Sequence, residues 1–260
     1  MFIYNYHTHT SRCGHASGSD EEYVLAAIKA GYKVLGFSDH APYQNFYRPR
    51  SHMHWEELDD YIRSVNTLKE KYKDQITIRL GLETEYYPEV HAEREELAKR
   101  LDYMLLGQHF SALSLDSVNY FKENSDEEIL EYAQAVCDAL DSGIFTYLCH
   151  PDVFMNHQTV FSESCQKAAH MIGRKCEETG TPAEINIRGV MKGLKHFPDG
   201  EQYWYPNKAF WRIMSQYDIK TVVGIDAHDP NDLLQTGMVT EGLEHLKDLD
   251  LHFIEDPFID

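Results

Sequence analysis

Phe2-Ile3-Tyr4-Asn5-Tyr6-His7-Thr8-His9-Thr10 is a short aromatic and β-branched run that ends in two histidines two residues apart. In extended backbone, residues i and i+2 point to the same side, so both imidazoles can face one cation. The same construction returns far along the chain, where Thr221–Ile225 leads into Asp226-Ala227-His228, a carboxylate and an imidazole two residues apart. Between these ends the pattern alternates, short apolar runs followed by longer stretches of helical period. The predicted strands are Phe2–Tyr6, Val34–Ser38, Ile76–Glu83, Tyr103–Gln108, Phe145–Cys149, Ala183–Ile187 and Thr221–Ile225.

A helix is expected after each strand. Ser19, with Glu22 three residues on, has the form of a capping box leading into Tyr23–Ala30. The others run over Trp55–Tyr72, Glu89–Arg100, Asp126–Asp141, Ser162–Glu178, Asn207–Gln216 and Pro230–Leu246, with Gly31, Gly143 and Gly180 where helices should stop. Seven βα units in series predict an α/β fold with a parallel sheet, closed as a barrel or left open. No linker or repeat divides residues 1–260, which are read as a single domain.

Composition removes several classes of function. The 24 Lys and Arg against 43 Asp and Glu give a net charge of −19, which argues against binding long nucleic acid through a broad basic face. A small phosphorylated ligand stays compatible, since one cationic pocket can outweigh a distant acidic surface. There is no apolar run of transmembrane length and no signal-peptide layout at the N-terminus. Five cysteines without C-x-x-C spacing argue against a disulfide framework and a cysteine-type zinc site, and the expected compartment is the reducing cytoplasm.

The fifteen histidines carry the functional signal. His7 and His9 follow the first predicted strand and His40 the second; Glu83 ends the third; then come His109, His150, and Asp226 with His228. In parallel α/β folds the C-terminal edge of the sheet binds ligands, so these groups should converge on one rim. Taken singly, His40, His109 or His150 is an ordinary loop histidine; an N-cap role for Asp226 yields to Asp229, which suits that task better and leaves Asp226 free as a ligand. Glu83 is preferred over Glu85 as a carboxylate able to bridge two cations, and His15, on the first loop, is preferred over Asp20. Seven His, one Glu and one Asp exceed the needs of one tetrahedral zinc and suit two or three divalent ions, zinc, manganese or iron rather than calcium or magnesium. Gly36-Phe37-Ser38-Asp39-His40 lacks the second glycine of a nucleophile elbow, so a serine hydrolase is rejected.

His7-Thr8-His9-Thr10, Ser38-Asp39-His40, Gly81-Leu82-Glu83, Gln108-His109, His150-Pro151 and Gly224-Ile225-Asp226-Ala227-His228, in this order, resemble the motifs of the PHP (polymerase and histidinol phosphatase) superfamily. The length and Cys13-Gly14-His15-Ala16 resemble its stand-alone histidinol-phosphate phosphatases. The resemblance implies a distorted, TIM-like (β/α)7 barrel with a trinuclear metal centre. One ion would use His7, His9, Glu83 and Asp226; a second Glu83, His109 and His150; a third His15, His40 and His228. It further implies a metal-dependent hydrolase of histidine biosynthesis, in which a metal-bridging hydroxide attacks the phosphorus of L-histidinol phosphate. The alternative is another small phosphomonoester or the end of a short oligonucleotide. Arg188, at the end of the sixth strand, is the expected phosphate clamp, with Arg48, Arg12 and Lys192 as substitutes. No side chain is identified that protonates the leaving alkoxide. The aromatics Tyr43, Phe46, Tyr47 and Trp55, and Tyr203-Trp204-Tyr205, are expected to anchor loops or to wall a pocket.

Overall fold

The computed structural model describes residues 3–198 and 200–258; Phe2, expected to begin the first strand, lies outside them. Eight parallel strands form one sheet in the order β1 (Tyr4–Asn5), β2 (Val34–Phe37), β3 (Thr77–Thr84), β4 (Tyr103–Leu106), β5 (Tyr147–Leu148), β6 (Ala183–Asn186), β9 (Lys220–Gly224) and β10 (His252–Phe253). The helices between them are α1 (Asp20–Ala30), α2 (Leu58–Tyr72), α3 (His91–Ala98), α4 (Asp126–Asp141), α5 (Glu163–Thr179), α6 (Arg188–Met191), α7 (Lys208–Met214) and α8 (Thr236–His245). All seven expected strands are present, generally shortened at one or both ends.

Three features depart from the sequence reading, the first being the short helix α6, which follows β6 where no helix was expected before Asn207. An eighth strand, β10, pairs with the N-terminal part of β9 (His252 opposite Lys220); both its residues are exposed, so no apolar run announced it. An antiparallel hairpin, β7 (Lys195–Phe197) and β8 (Gly200–Gln202), stands apart from the main sheet after α6.

The sheet curls until its two ends meet. Beyond β1 and β9 the chains run side by side: Thr8 bridges Ala227, the His9 amide donates to the Ala227 carbonyl at 2.9 Å, and the Ala227 amide to that of His7 at 3.2 Å. Asn5 reinforces the seam, accepting from the Ile225 amide at 2.9 Å through its side-chain oxygen. Closure is confined to the C-terminal rim, because β10 occupies the other half of β9. This is the distortion of a TIM-like barrel.

Alternation sorts the strand residues between two cores. On β4, Met104 and Leu106 join the large cluster beneath the helices, while Tyr103 and Leu105 belong to a smaller cluster inside the curl with Tyr6, Val34, Tyr147, Cys149 and Val222. Tyr103 fills that interior. Its hydroxyl lies 2.7 and 2.8 Å from the Tyr6 and Phe37 carbonyls, and Gly81 makes room for it: a Cβ there would sit 2.4 Å from the Tyr103 ring.

Helix ends follow the sequence chemistry. The Ser19–Glu22 capping box is formed, Ser162 and Asn207 cap α5 and α7, and Gly31 and Gly180 end α1 and α5 in left-handed conformation. No helix among the described residues is long and apolar enough to cross a membrane.

Candidate metal centre

Every residue singled out at a strand end comes to the closed rim, and Glu83 is the centre of the group. Its Oε1 lies 2.9 Å from His150 Nε2 and 3.3 Å from His109 Nε2. Its Oε2 lies 3.1 Å from His40 Nδ1, 3.4 Å from His9 Nε2 and 3.5 Å from His7 Nε2. Asp226 Oδ1 approaches His9 Nε2 to 3.1 Å, and His7 Nε2 lies 3.1 Å from His9 Nε2. His15 and His228 meet nitrogen to nitrogen at 3.0 Å, with His40 completing a third group. His150 and Asp226 take positive φ, 28° and 55°, which non-glycine residues seldom adopt.

Two details match this donor set to divalent cations. Glu83 Oε2 and Asp226 Oδ1 are buried and accept no hydrogen bond, and a carboxylate oxygen left that way is costly unless a cation meets it. Three imidazole pairs also bring Nε2 to Nε2 within 3.0–3.3 Å, a geometry suited to lone pairs directed at a shared ion.

Against burial, which lowers them, neighbouring acidic groups raise His7, His9 and His109, the last to about 10, so a cation bound there would displace protons; the third group behaves otherwise. Burial, reinforced by neighbouring imidazoles, pushes His40 well below the ordinary histidine value and His15 down to about 4; these rings are neutral and free to donate lone pairs at pH 7. Burial alone would raise the Glu83 carboxyl, but His109, His7 and His40 hold it well below its usual range.

Buried carboxylates behind the rings orient them. Glu184 lies 2.9 Å from His7 Nδ1, and Asn186 donates to Glu184 at 2.6 Å and to Asp226 at 3.2 Å. Glu85 does the same for His109, at 3.2 Å from its Nδ1, and also binds His52 and the Tyr43 hydroxyl. Glu85 thus stands behind one histidine where Glu83 stands among five. Asp20 is turned away, paired with Arg12 at 2.6 Å and with Ser64. Ser38, rejected as a nucleophile, is buried and accepts from the Thr8 amide at 3.0 Å.

The sequence reading missed Glu184, although a carboxylate within the apolar run Ala183–Asn186 was the available signal, since a buried charge needs a partner. Replacing Glu184 with Gln is expected to weaken metal affinity and turnover by ~10–100-fold, checked by metal titration and steady-state kinetics.

A cavity of about 300 Å³ opens above the cluster, and Arg50, Ser51, Asn119, Phe121, Arg188 and Lys192 are among its walls. Arg188 lies at the start of α6, just past the strand it was expected to end, and is held by Asp232 at 2.9 Å. Two of its expected substitutes are elsewhere. Arg12 is tied to Asp20 and Asp60, and Arg48 lies over the Phe110 ring and donates to Ser114 and Ser117. Arg50, which sequence reasoning passed over, takes the place of Arg48 at the mouth. Of the aromatics, Tyr205 lines the cavity and Tyr43 anchors the loop behind it.

Comparison with known proteins gives a consistent picture. The PHP domain family matches residues 5–187. A "Probable histidinol-phosphatase" of Deinococcus radiodurans is 27% identical over 234 residues, covering 87% of this chain and 86% of the relative. The histidinol-phosphatase of Bacillus subtilis is 28% identical over 260 residues, covering 87% and 94%. Among solved structures, the Lactococcus lactis histidinol phosphate phosphatase complexed with zinc, L-histidinol and phosphate superposes with a TM-score of 0.75 at 17% identity, covering 97% of this chain and 95% of that one. The family match alone takes in well over half the sequence, and the fold shared with the Lactococcus enzyme extends past it to the last strands: the chain belongs to the PHP domain family.

Proposed function

We propose that this protein is a divalent-metal-dependent phosphomonoesterase that hydrolyses L-histidinol phosphate to L-histidinol and phosphate, a reaction of histidine biosynthesis. The observation that carries the proposal is Glu83, buried with each oxygen facing a different set of imidazoles, under a cavity that Arg50, Arg188 and Lys192 help to line. The naming of the Deinococcus and Bacillus relatives and the ligands of the Lactococcus structure support the choice of substrate.

In this reading His7, His9, Glu83 and Asp226 hold one ion, Glu83, His109 and His150 a second, and His15, His40 and His228 a third. Zinc, manganese and iron suit the mixed imidazole–carboxylate set. Such ions supply Lewis-acid charge and make hydroxide available near neutral pH. The protein's own groups do the rest. Glu184 and Glu85 fix the orientation of His7 and His109, and Asp232 holds the Arg188 guanidinium at the cavity wall, where it neutralises phosphoryl oxygens. Phe110, Phe121 and Tyr205 give an apolar side for the organic half of the ester.

A phosphate-release panel tests the substrate. At equal concentration, histidinol phosphate is expected to give the highest kcat/KM against sugar phosphates, nucleotides and short oligonucleotides. A preference for any other member would replace the assignment while leaving the metal site intact.

A further inference from the structure

We infer that Lys192 is the general acid that protonates the leaving alkoxide, an inference that rests on the phosphomonoesterase reading above. Hydrolysis of an alkyl phosphate expels a strongly basic oxygen, and a proton donor at that oxygen is worth roughly 10²–10⁴-fold in rate. The cavity offers few candidates once the imidazoles are assigned to the ions. The Arg50 and Arg188 guanidiniums do not give up protons near neutrality. Burial sets the Tyr205 hydroxyl well above the ordinary tyrosine value. Ser51 and Asn119 are not acids, and the Glu85 oxygens are already engaged by His109, His52 and Tyr43. Lys192 is left.

Its position suits the task. Lys192 directly follows α6, four residues after Arg188, so the two project from the same side of the turn. The Lys192 ammonium lies 4.8 Å from the Tyr205 ring centroid and 5.4 Å from that of Phe121, and donates to Asn156 Oδ1 at 3.3 Å. Phe121 in turn stacks on His109 at 5.2 Å. The ammonium therefore sits where the apolar wall meets the metal floor, which is where an ester oxygen lies when phosphate is on the floor and the organic group on the wall. Among the described residues no carboxylate comes within ion-pair distance of it, in a chain where acids far outnumber bases. Desolvation lowers its pKa to about 8, against the attraction of Asp226 and with the help of Arg188 and Lys195. Burial thus makes the ammonium a readier proton donor than an exposed lysine.

In the step itself, an attacking water-derived oxygen bonds to phosphorus while the P–O ester bond breaks. The ester oxygen departs with the bonding pair and takes a proton from Lys192 Nζ. The alcohol leaves, and the neutral amine recovers its proton from solvent.

Leaving-group dependence tests the role, because 4-nitrophenolate departs without a proton. In the metal-loaded enzyme, Lys192→Gln is expected to lower kcat on histidinol phosphate by ~100-fold or more, and on 4-nitrophenyl phosphate by less than ~5-fold. Lys192→Arg, which keeps the charge but holds its proton, should follow Lys192→Gln. Calorimetric binding of inorganic phosphate should change by less than ~3-fold in both variants. Equal losses on the two esters with weakened phosphate binding would make Lys192 a phosphate clamp and overturn the proposal. So would full activity of Lys192→Arg, or no loss on either ester. Wild-type enzyme inactive on both esters would instead remove the phosphomonoesterase reading on which the inference stands.

Discussion

Replacing Glu83 with Gln is expected to lower kcat by ~10³-fold or more and to remove at least one bound metal ion per chain. The substitution keeps the shape of the side chain but replaces one carboxylate oxygen by an amide NH2, which has no lone pair to offer a cation. In the present geometry one oxygen faces His109 and His150 and the other His7, His9 and His40. Whichever end receives the NH2, one side of the cluster loses its anionic ligand. Losing the Lewis-acid contribution of an ion costs several kcal/mol, and every ~1.4 kcal/mol is tenfold in rate. Metal content by mass spectrometry and steady-state kinetics check both parts. A thermal melt adds an independent reading. The metal-free variant should be less stable than the metal-free wild type at pH 7, because the imidazoles that hold Glu83 ionised lose their buried charge partner, and the gain in melting temperature on adding zinc should shrink. Full turnover with full metal content would remove Glu83 from the bridging position.

The second large effect comes from a residue with no functional group. A Cβ on Gly107 would lie 1.9 Å from Glu83 Oε1 and 2.5 Å from its carboxyl carbon. Gly107 does not need its conformational freedom, since its backbone lies outside the left-handed region; it needs the empty volume. Gly107→Ala is therefore expected to displace the carboxylate, and a misplacement of about 1 Å at a reacting centre can cost ~10²-fold. Activity should fall by that factor or more and metal affinity with it, while far-ultraviolet circular dichroism stays that of the wild type. Activity within ~5-fold of wild type would show that the carboxylate can shift without consequence.

These two residues also mark how far the sequence could be read. Six of the seven strand ends were legible because short apolar runs stop at histidines and acids, the sixth strand stopping at Arg188 instead, and a parallel sheet gathers such ends on one rim. His7 with His9 and Asp226 with His228 were visible from i, i+2 spacing alone. What was not legible depends on contacts between distant strands. Glu184 acts on His7 from 177 residues away, and nothing local to Ala183–Asn186 specifies that neighbour. Gly107 reads only as a glycine near the end of the predicted strand Tyr103–Gln108 until Glu83 is placed beside it. Arg48 and Arg50 are equivalent in sequence; their separation follows from the loop path, in which Arg50 takes φ 59° with its Cα 3.3 Å from where a Gly14 Cβ would be. The strand β10 was missed because two exposed residues carry no alternating pattern.

The seam joining Thr8 to Ala227 has a bearing on biosynthesis. His7 and His9 are made about two hundred residues before Asp226 and His228, their neighbours across the seam. A growing chain therefore carries loose imidazoles and acids through most of translation, and any ion captured early must be held by an unfinished cage. Loading with metal is accordingly expected to follow synthesis of the segment that carries Asp226 and His228.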